Sequence, residues 1–480
     1  MLLSDNLKPQ RVFKYFEEIA SIPHGSEDMT AIADYCVAFA QKQGLEYFRD
    51  SADNVIIYKP ATKGYENSEP VILQGHLDMV CQKEADCDID FLKDGLRIYT
   101  EGDFVKAKGT TLGADNGIAV SMVLAILESN EIPHPALEAV FTTDEEIGML
   151  GAIKLDMTKL NSKRMINLDS EEEDTLTVSC AGGSDFKAVI PLDFEIAEGT
   201  EVLIMLHGLK GGHSGVEINS GRMNANILAG RFLNYINGIC NFGLISINGG
   251  DKCNAITNCC EIKLCVADIE DFCSKSEEYL GIIKEEISAR EPEFTFDINV
   301  GEKAQLKVMS KEIKDKLIFA LLCAPNGVME MSAEIEGLVE TSLNLGILQT
   351  FQDKVMLTFA LRSNKSSALK FLEDKLKAFF ALIPCDIETG GHYPPWEYNN
   401  NSVLREVYRE AYKEQFGKEP KIEAIHAGLE CGIFSSKIEG IDCIALGPQM
   451  YDVHTVNERL SISSTERIYN LLLKMLEKCK

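Results

Sequence analysis

Short, strongly apolar runs alternate along the chain with longer segments of helical periodicity, and glycine or acidic turns separate them. Residues 7–46 carry apolar-periodic segments broken at SIPHGSED, where Pro23 and Gly25 interrupt the pattern. The segment from Asp28 to about Lys42 opens with acidic side chains and reads as a helix. NVIIYKP and VILQGH read as strands, the second apolar enough to be internal. GADNGIAVSMVLAILES supplies a loop and then a long apolar helix, whose apolar positions are read as packing. LEAVFTTDEE is a strand running into an acidic turn, and RMINLDSEE repeats that arrangement. Strands alternating with helices predict an α/β domain on a largely parallel sheet.

Near residue 185 the texture changes. EVLIMLHGLKGGHSG reads as a strand and a glycine-rich loop, and RMNANILAGRFLNYI as a helix. The strand-like stretches EIKLCVADI, FTFDINV and KVMLTFALRS come next, with helical segments near 275–290, 310–324 and 366–383. This is an α+β pattern with antiparallel sheets. From about Pro394 helix–strand alternation returns through REVYREAYKEQF, KIEAIHAGLECGIF and IDCIALGPQMYDVHT. The economical organisation is one α/β domain built from residues 1–185 and 394–480, with residues 186–393 inserted as a second domain.

Composition narrows the function. With 47 basic against 75 acidic residues, the formal charge is −28, and no basic run offsets it. Such a surface repels phosphate backbones, so nucleic acid is not an expected partner. No stretch of 18 apolar residues would span a membrane, and the start MLLSDNLKPQ interrupts any leader-like apolar core after three residues. The 15 cysteines are odd in number, form no C-x-x-C pair and lie mostly in apolar segments. They read as reduced thiols of a cytoplasmic protein.

The candidate chemistry lies where apolar strands run out. VILQG leads to His76 and Asp78, AVFTT to Asp144, Glu145 and Glu146, and MINL to Asp169. In an open parallel sheet, functional groups gather beyond the carboxyl ends of the strands, so these segments can face one crevice. Asp115 lies between a glycine turn and a helix start, where it could also serve as a cap; His454 lies in a polar loop. Imidazole and carboxylate donors together suit Zn, Mn or Co. Three carboxylates and two neutral imidazoles sum to −3, which two divalent ions would nearly neutralise. Adjacent Glu145 and Glu146 point in different directions, so one can ligate while the other handles a proton. Glu171, Glu172, Glu173 and Asp174 read as solvated surface.

In GLKGGHSGVEI, His213 sits among Gly208, Gly211, Gly212 and Gly215, either as a polar loop residue or as a group brought close to a reacting carbonyl. Arg362, at a strand end, could clamp a carboxylate or close an ordinary salt bridge. Asn224 reads first as a helix cap, and Gly428 and Glu430 as a helix-to-strand connection that could line a substrate crevice. His134, between two prolines, reads as a surface turn. A complete phosphate loop, a dinucleotide G-x-G-x-x-G and a G-x-S-x-G elbow are all absent.

Taken in order, SIPHGSE, QGHLDMV, KGTTLGADNGI, TTDEEIGMLGA, INLDSEE, GLKGGHSG, RMNAN, HAGLECG and DVHTVNERL resemble the M20 family of metallopeptidases, and within it the aminoacyl-histidine dipeptidase branch. The resemblance spans nearly the whole chain. It implies a split zinc-peptidase catalytic domain with an inserted, enlarged α+β lid that contains two related halves. It implies five metal ligands, His76 and Asp169 on one ion and Glu146 and His454 on the other, with Asp115 bridging. Asp78 would orient His76, Glu145 would be the general base, and His213 would approach the substrate carbonyl from the lid. Asn224, Arg362, Gly428 and Glu430 are the candidate substrate contacts, and a cis peptide is expected at Asp115–Asn116.

The implied reaction is hydrolysis of unblocked dipeptides, Xaa-His among them, by a metal-activated water and a glutamate base. Zinc is the expected ion, with manganese or cobalt as alternatives. An aminoacylase or N-acyl-amino-acid deacylase would use the same chemistry, and a metal-bound binding protein without turnover is the non-enzymatic reading. The chain is expected to act as a monomer or homodimer on small dipeptides.

Overall fold

The computed structural model describes residues 3–480; the first two residues, at the start of the stretch MLLSDNLKPQ, lie outside them. The chain divides into two compact units. One comprises residues up to Cys180, Trp396–Ala424 and Leu429–Lys480, and the other Ala181–Pro395 with Ile425–Gly428.

The first unit is built on an eight-stranded sheet. Its strand order is Glu46–Arg49, Val55–Lys59, Leu137–Thr142, Val71–His76, Arg164–Asn167, Asp442–Ala445, Thr175–Cys180 and Lys421–Ile425. The four central strands are parallel, while Glu46–Arg49, Val55–Lys59 and Thr175–Cys180 pair antiparallel with their neighbours. Burial explains the apolar runs: every residue of Val71–His76 and Leu137–Thr142 is buried. The register pairs His76 with Thr142 and Gln74 with Asn167, so three neighbouring strands end at one level. The turns leaving these strands therefore emerge along a single edge.

The helix Ala114–Glu128 is apolar on all sides because it is enclosed: residues 116–127 are buried throughout. Lys59, itself buried, donates to the carbonyls of Ile126, Leu127 and Ser129 at its C-terminal end. A four-stranded sheet joins Met450–Tyr451, Arg459–Ser461, Phe104–Ala107 and Ile98–Glu101, and so makes the loop holding His454 the tip of a hairpin. His134 corrects the expectation of a surface turn. It is fully buried, with Nδ1 2.7 Å from the Pro135 carbonyl.

The second unit contains two strand–helix–strand–strand–helix–strand modules. One runs Phe194–His207, Ala225–Asn237, Phe242–Gly249, Cys260–Val266, Ile269–Ile287 and Thr295–Met309. The other begins at Gly182–Pro191 and resumes after the first module with Lys311–Cys323, Val339–Thr350, Lys354–Ser363, Ser366–Phe380 and Asp386–Tyr393. Both arrange their strands 4-1-3-2, and the two four-stranded halves meet through the pair Gly249–Leu348. The enlarged insertion thus consists of two topologically equivalent halves. Their helices share one apolar core with the sheet, centred on Phe186, Phe232, Phe272, Phe359 and Phe380. Among the described residues, no helix is long and apolar enough to cross a membrane.

Candidate active site

The edge defined by the three parallel strands gathers the acidic and imidazole side chains of the first unit. His76 ends its strand, the acidic turn 144–146 comes directly after Thr143, and Asp169 lies two residues beyond Asn167. Asp115 arrives from the start of the helix that begins at Ala114. His454 comes from the hairpin tip, where both it and Asp452 adopt positive φ, 64° and 53°. The Asp115–Asn116 peptide is cis.

The two oxygens of Asp115 face different histidines. His76 Nε2 lies 3.1 Å from Oδ1, and His454 Nε2 lies 3.1 Å from Oδ2. His76 Nε2 is also 3.6 Å from Asp169 Oδ1, and His454 Nε2 is 2.9 Å from Glu146 Oε1. Donor atoms of His76, Asp115 and Glu146 all fall within 4.8 Å of one another. Each imidazole therefore sits between the shared aspartate and a carboxylate of its own.

Charge conforms to this geometry. Hydrogen bonds to Asp115 and Glu146 raise His454 to about 11. His76 is raised despite its burial, by the Asp169 charge and by hydrogen bonds to Asp115, Asp169 and Asp78. Burial opposes the charge on Asp115, yet the two histidines hold it well below the usual carboxylate range. Asp169 is pushed up to about 6 by burial and by the Asp115 charge. Glu145 is also raised, mainly by burial and then by Asp169, Glu430 and Glu146. Protons on the two imidazoles thus occupy positions where the surrounding carboxylates demand cations. The mixed nitrogen and oxygen donors fit two divalent transition ions better than calcium or magnesium.

Buried polar groups brace the edge. Asn116 accepts from the His76 backbone N–H at 3.2 Å and donates to the Leu168 carbonyl at 3.0 Å, which ties two ligand-bearing strands together. Asn167 donates to Gln74, and Gln74 and Thr142 donate to Glu430 Oε2. The Asp78 carboxylate accepts from Ser26 Oγ at 2.8 Å and from the N–H groups of Glu145 and Glu146 at 3.0 and 3.2 Å. His76 Nδ1 stands nearer the Asp78 carbonyl, 2.9 Å, than its carboxylate, 3.5 Å. Asp78 thus fixes the imidazole through its main chain and the 145–146 turn through its side chain. Glu458 accepts from the backbone N–H groups that lead into Asp115. Sequence reasoning does not single out Gln74, Asn167 or Glu458, and it names Asn116 only for the cis peptide. The only signal it offers for Gln74 and Asn167 is a polar residue inside an otherwise apolar run.

In the second unit, His213 Nδ1 accepts from the N–H groups of Gly215 and Val216, each at 3.2 Å. Burial and the Arg362 charge lower its pKa, so the ring is neutral with its proton on Nε2. Arg362 is buried, donates through Nη1 to Tyr393 at 2.8 Å and leaves Nε without a partner. Gly428 is half-buried, two residues from His426, which bonds Ser342 and Asn364. Two candidate substrate contacts, Asn224 and Glu430, are engaged with other protein groups. Asn224 uses Oδ1 to cap the helix at Ala225, and it uses Nδ2 on Asn344 and Leu345. Glu430 is fully buried in the first unit, where its Oε2 accepts from Gln74 and Thr142.

A paired imidazole–carboxylate cage at the carboxyl ends of parallel strands defines a class of metal-dependent hydrolase. Residues 72–478 match the model of Peptidase family M20/M25/M40, and the chain belongs to that family. It is 39% identical over 477 residues to the cytosol non-specific dipeptidase of Escherichia coli (strain K12), covering 98% of each chain. It is similar in structure to aminoacylhistidine dipeptidase from Vibrio alginolyticus, with a TM-score of 0.89 and 37% identity over 99% of this chain and 98% of that one. Aminopeptidase PepT from Bacillus cereus ATCC 10987 shares the fold, with a TM-score of 0.58 at 15% identity over 98% and 99% of the two chains.

Proposed function

We propose that this protein is a cytoplasmic, metal-dependent dipeptidase with a two-ion site centred on Asp115. One observation carries the reading: the two oxygens of one carboxylate face two imidazoles, each backed by its own carboxylate. His76 and Asp169 would hold one ion, Glu146 and His454 the other, and Asp115 would bridge them. Zinc is the ion proposed, with manganese or cobalt fitting the same donors. When bound, such ions polarise the scissile carbonyl and lower the pKa of water.

Glu145 takes the proton of the attacking water and returns it to the leaving amine. Asp78 holds the Glu145–Glu146 turn so that one carboxylate ligates while its neighbour remains available. His213 is proposed as the donor to the carbonyl oxygen, since its Nδ1 is occupied by two amides and its Nε2–H is the donor in hand. Arg362, with an unpaired buried Nε, is the proposed partner for the substrate carboxylate, and Gly428, in the same unit, is proposed as a backbone contact.

A free dipeptide is favoured by the two relatives' names and by a carboxylate-binding group of this kind. Fixed recognition of a short substrate's charged ends leaves a longer or blocked one with a buried charge unpaired. The cytoplasmic assignment is supported by the cytosolic relative and by 15 free cysteines. The test is a metal-titrated activity panel of Xaa-His dipeptides, other dipeptides, tripeptides and N-acetyl amino acids. Preference for unblocked dipeptides supports the proposal; preference for N-acetyl amino acids makes the protein a deacylase, and metal binding without turnover makes it a binding protein.

A further inference from the structure

The loop carrying His454 does a second thing at the same site. Glu458, four residues on, is 3% exposed and closes its carboxylate around the backbone entering Asp115. Oε2 accepts from the N–H groups of Leu112 at 2.7 Å and Gly113 at 3.2 Å. Oε1 accepts from Ala114 at 2.8 Å and lies 3.4 Å from the N–H of Asp115 itself. The helix that starts there has Gly113 at its cap position, with no side chain to satisfy those amides. A carboxylate more than 340 residues away in the chain does it instead.

The hairpin tip is also tied within itself. Glu458 N–H donates to the Thr455 carbonyl at 3.1 Å, Thr455 N–H donates to the Asp452 carbonyl at 3.2 Å, and Arg459 pairs with Asp452. His454 and Glu458 therefore move as one short piece of chain. Glu458 grips the peptide groups that aim Asp115, while His454 faces the Asp115 oxygen turned towards Glu146.

We propose that Glu458 is a positioning residue that locks the His454 hairpin to the Asp115 turn and thereby forms the half of the metal cage made by Asp115, Glu146 and His454. The role requires a carboxylate. All the groups facing its two oxygens are N–H donors, so an amide of the same shape would set its own NH2 against two of them. His76 ends the strand Val71–His76 and Asp169 follows the strand Arg164–Asn167, so only Asp115 and its neighbour Asn116 join them to this linkage. Loss of Glu458 should therefore weaken the ion at His454 and Glu146, two of whose ligands lose their aim, more than the other ion, which is touched only through Asp115.

This inference rests on the two-ion reading above, and one experiment separates their failures. Full-length wild-type protein and Glu458→Gln are stripped of metal and titrated with Zn2+ by calorimetry, with circular dichroism checking the fold. Wild type should take two ions. In Glu458→Gln one ion should lose affinity by roughly 10- to 100-fold and the other distinctly less. Unchanged binding of both ions, or equal weakening of both, overturns the role of Glu458. Fewer than two ions in wild type overturns the two-ion reading itself. Should the glutamine variant not fold, Glu458→Asp keeps both acceptors but draws them back by one methylene. It should weaken one ion more than the other, and wild-type binding of both overturns the proposal.

Discussion

Replacing Asp78 by asparagine tests how the turn bearing Glu145 and Glu146 is held. The carboxylate accepts from three groups, Glu145 N–H at Oδ1 and Glu146 N–H and Ser26 Oγ at Oδ2, while His76 Nδ1 stands 3.5 Å from Oδ1. Asparagine has nearly the same shape but must present an NH2 at one of these positions. Placing it at Oδ2 is the better choice, because the Ser26 hydroxyl can turn and accept. Glu146 N–H then faces a donor and loses its partner. A buried N–H stripped of its acceptor costs about 1–3 kcal/mol, which corresponds to roughly 5- to 150-fold. The loss falls on the two residues proposed as ligand and base, so kcat/KM of the metal-saturated enzyme for a dipeptide should drop by that factor. Ser26→Ala, which removes only one neutral donor, should cost far less. Steady-state kinetics across a metal titration measures both. An Asp78→Asn enzyme within twofold of wild type at saturating metal would refute the claim that this carboxylate holds the turn.

Glu145→Ala should retain both ions by metal analysis and lose about 10²–10⁴ in kcat, as expected for removal of a general base. His213→Ala should lower kcat by about 10²–10³ with metal content unchanged, the effect of deleting one donor to a developing oxyanion; an unchanged kcat would remove His213 from the reaction. His426 gives a pH-dependent stability. Burial first, then the Arg362 charge, depress its pKa from 6.5 to about 3. Between those values the unfolded chain binds the proton and the folded chain does not, so stability falls on acidification through that window. The slope contributed is at most ~1.4 kcal/mol per pH unit. Denaturant unfolding at pH 7 and pH 4 should show a smaller loss for His426→Asn than for wild type, and equal losses would contradict the assignment.

The residues proposed to hold metal are legible because strand periodicity locates strand ends. VILQG, AVFTT and MINL are buried on both faces, and the polar residues after them can only lie at the sheet's edge. What periodicity does not show is the bracing. Gln74 and Asn167 sit inside apolar strands, where a lone polar residue carries no direction. Of the partners of Gln74, Glu430 lies 356 residues away in the chain and Thr142 on a neighbouring strand. Glu458 resembles one more acid in a polar loop, since its partners are main-chain amides that leave no mark on composition. The strand Thr295–Met309 shows itself only in part, as FTFDINV. It lies at a sheet edge with most residues exposed, so GEKAQLKVM has no alternation of buried and exposed positions. The duplicated insertion is hidden for a related reason. Its first strand, Gly182–Pro191, is separated from the rest of its module by the whole of the other one, and topology persists where sequence similarity does not.

The central claim is that Asp115 is shared between two cations. Anomalous diffraction at the zinc absorption edge, from crystals of the zinc-loaded protein, tests it directly. The account predicts two peaks about 3.5–4 Å apart, one touching His76 and Asp169, the other Glu146 and His454, with one Asp115 oxygen on each. A single peak in a fully active protein, or a pair of which only one touches Asp115, would contradict it.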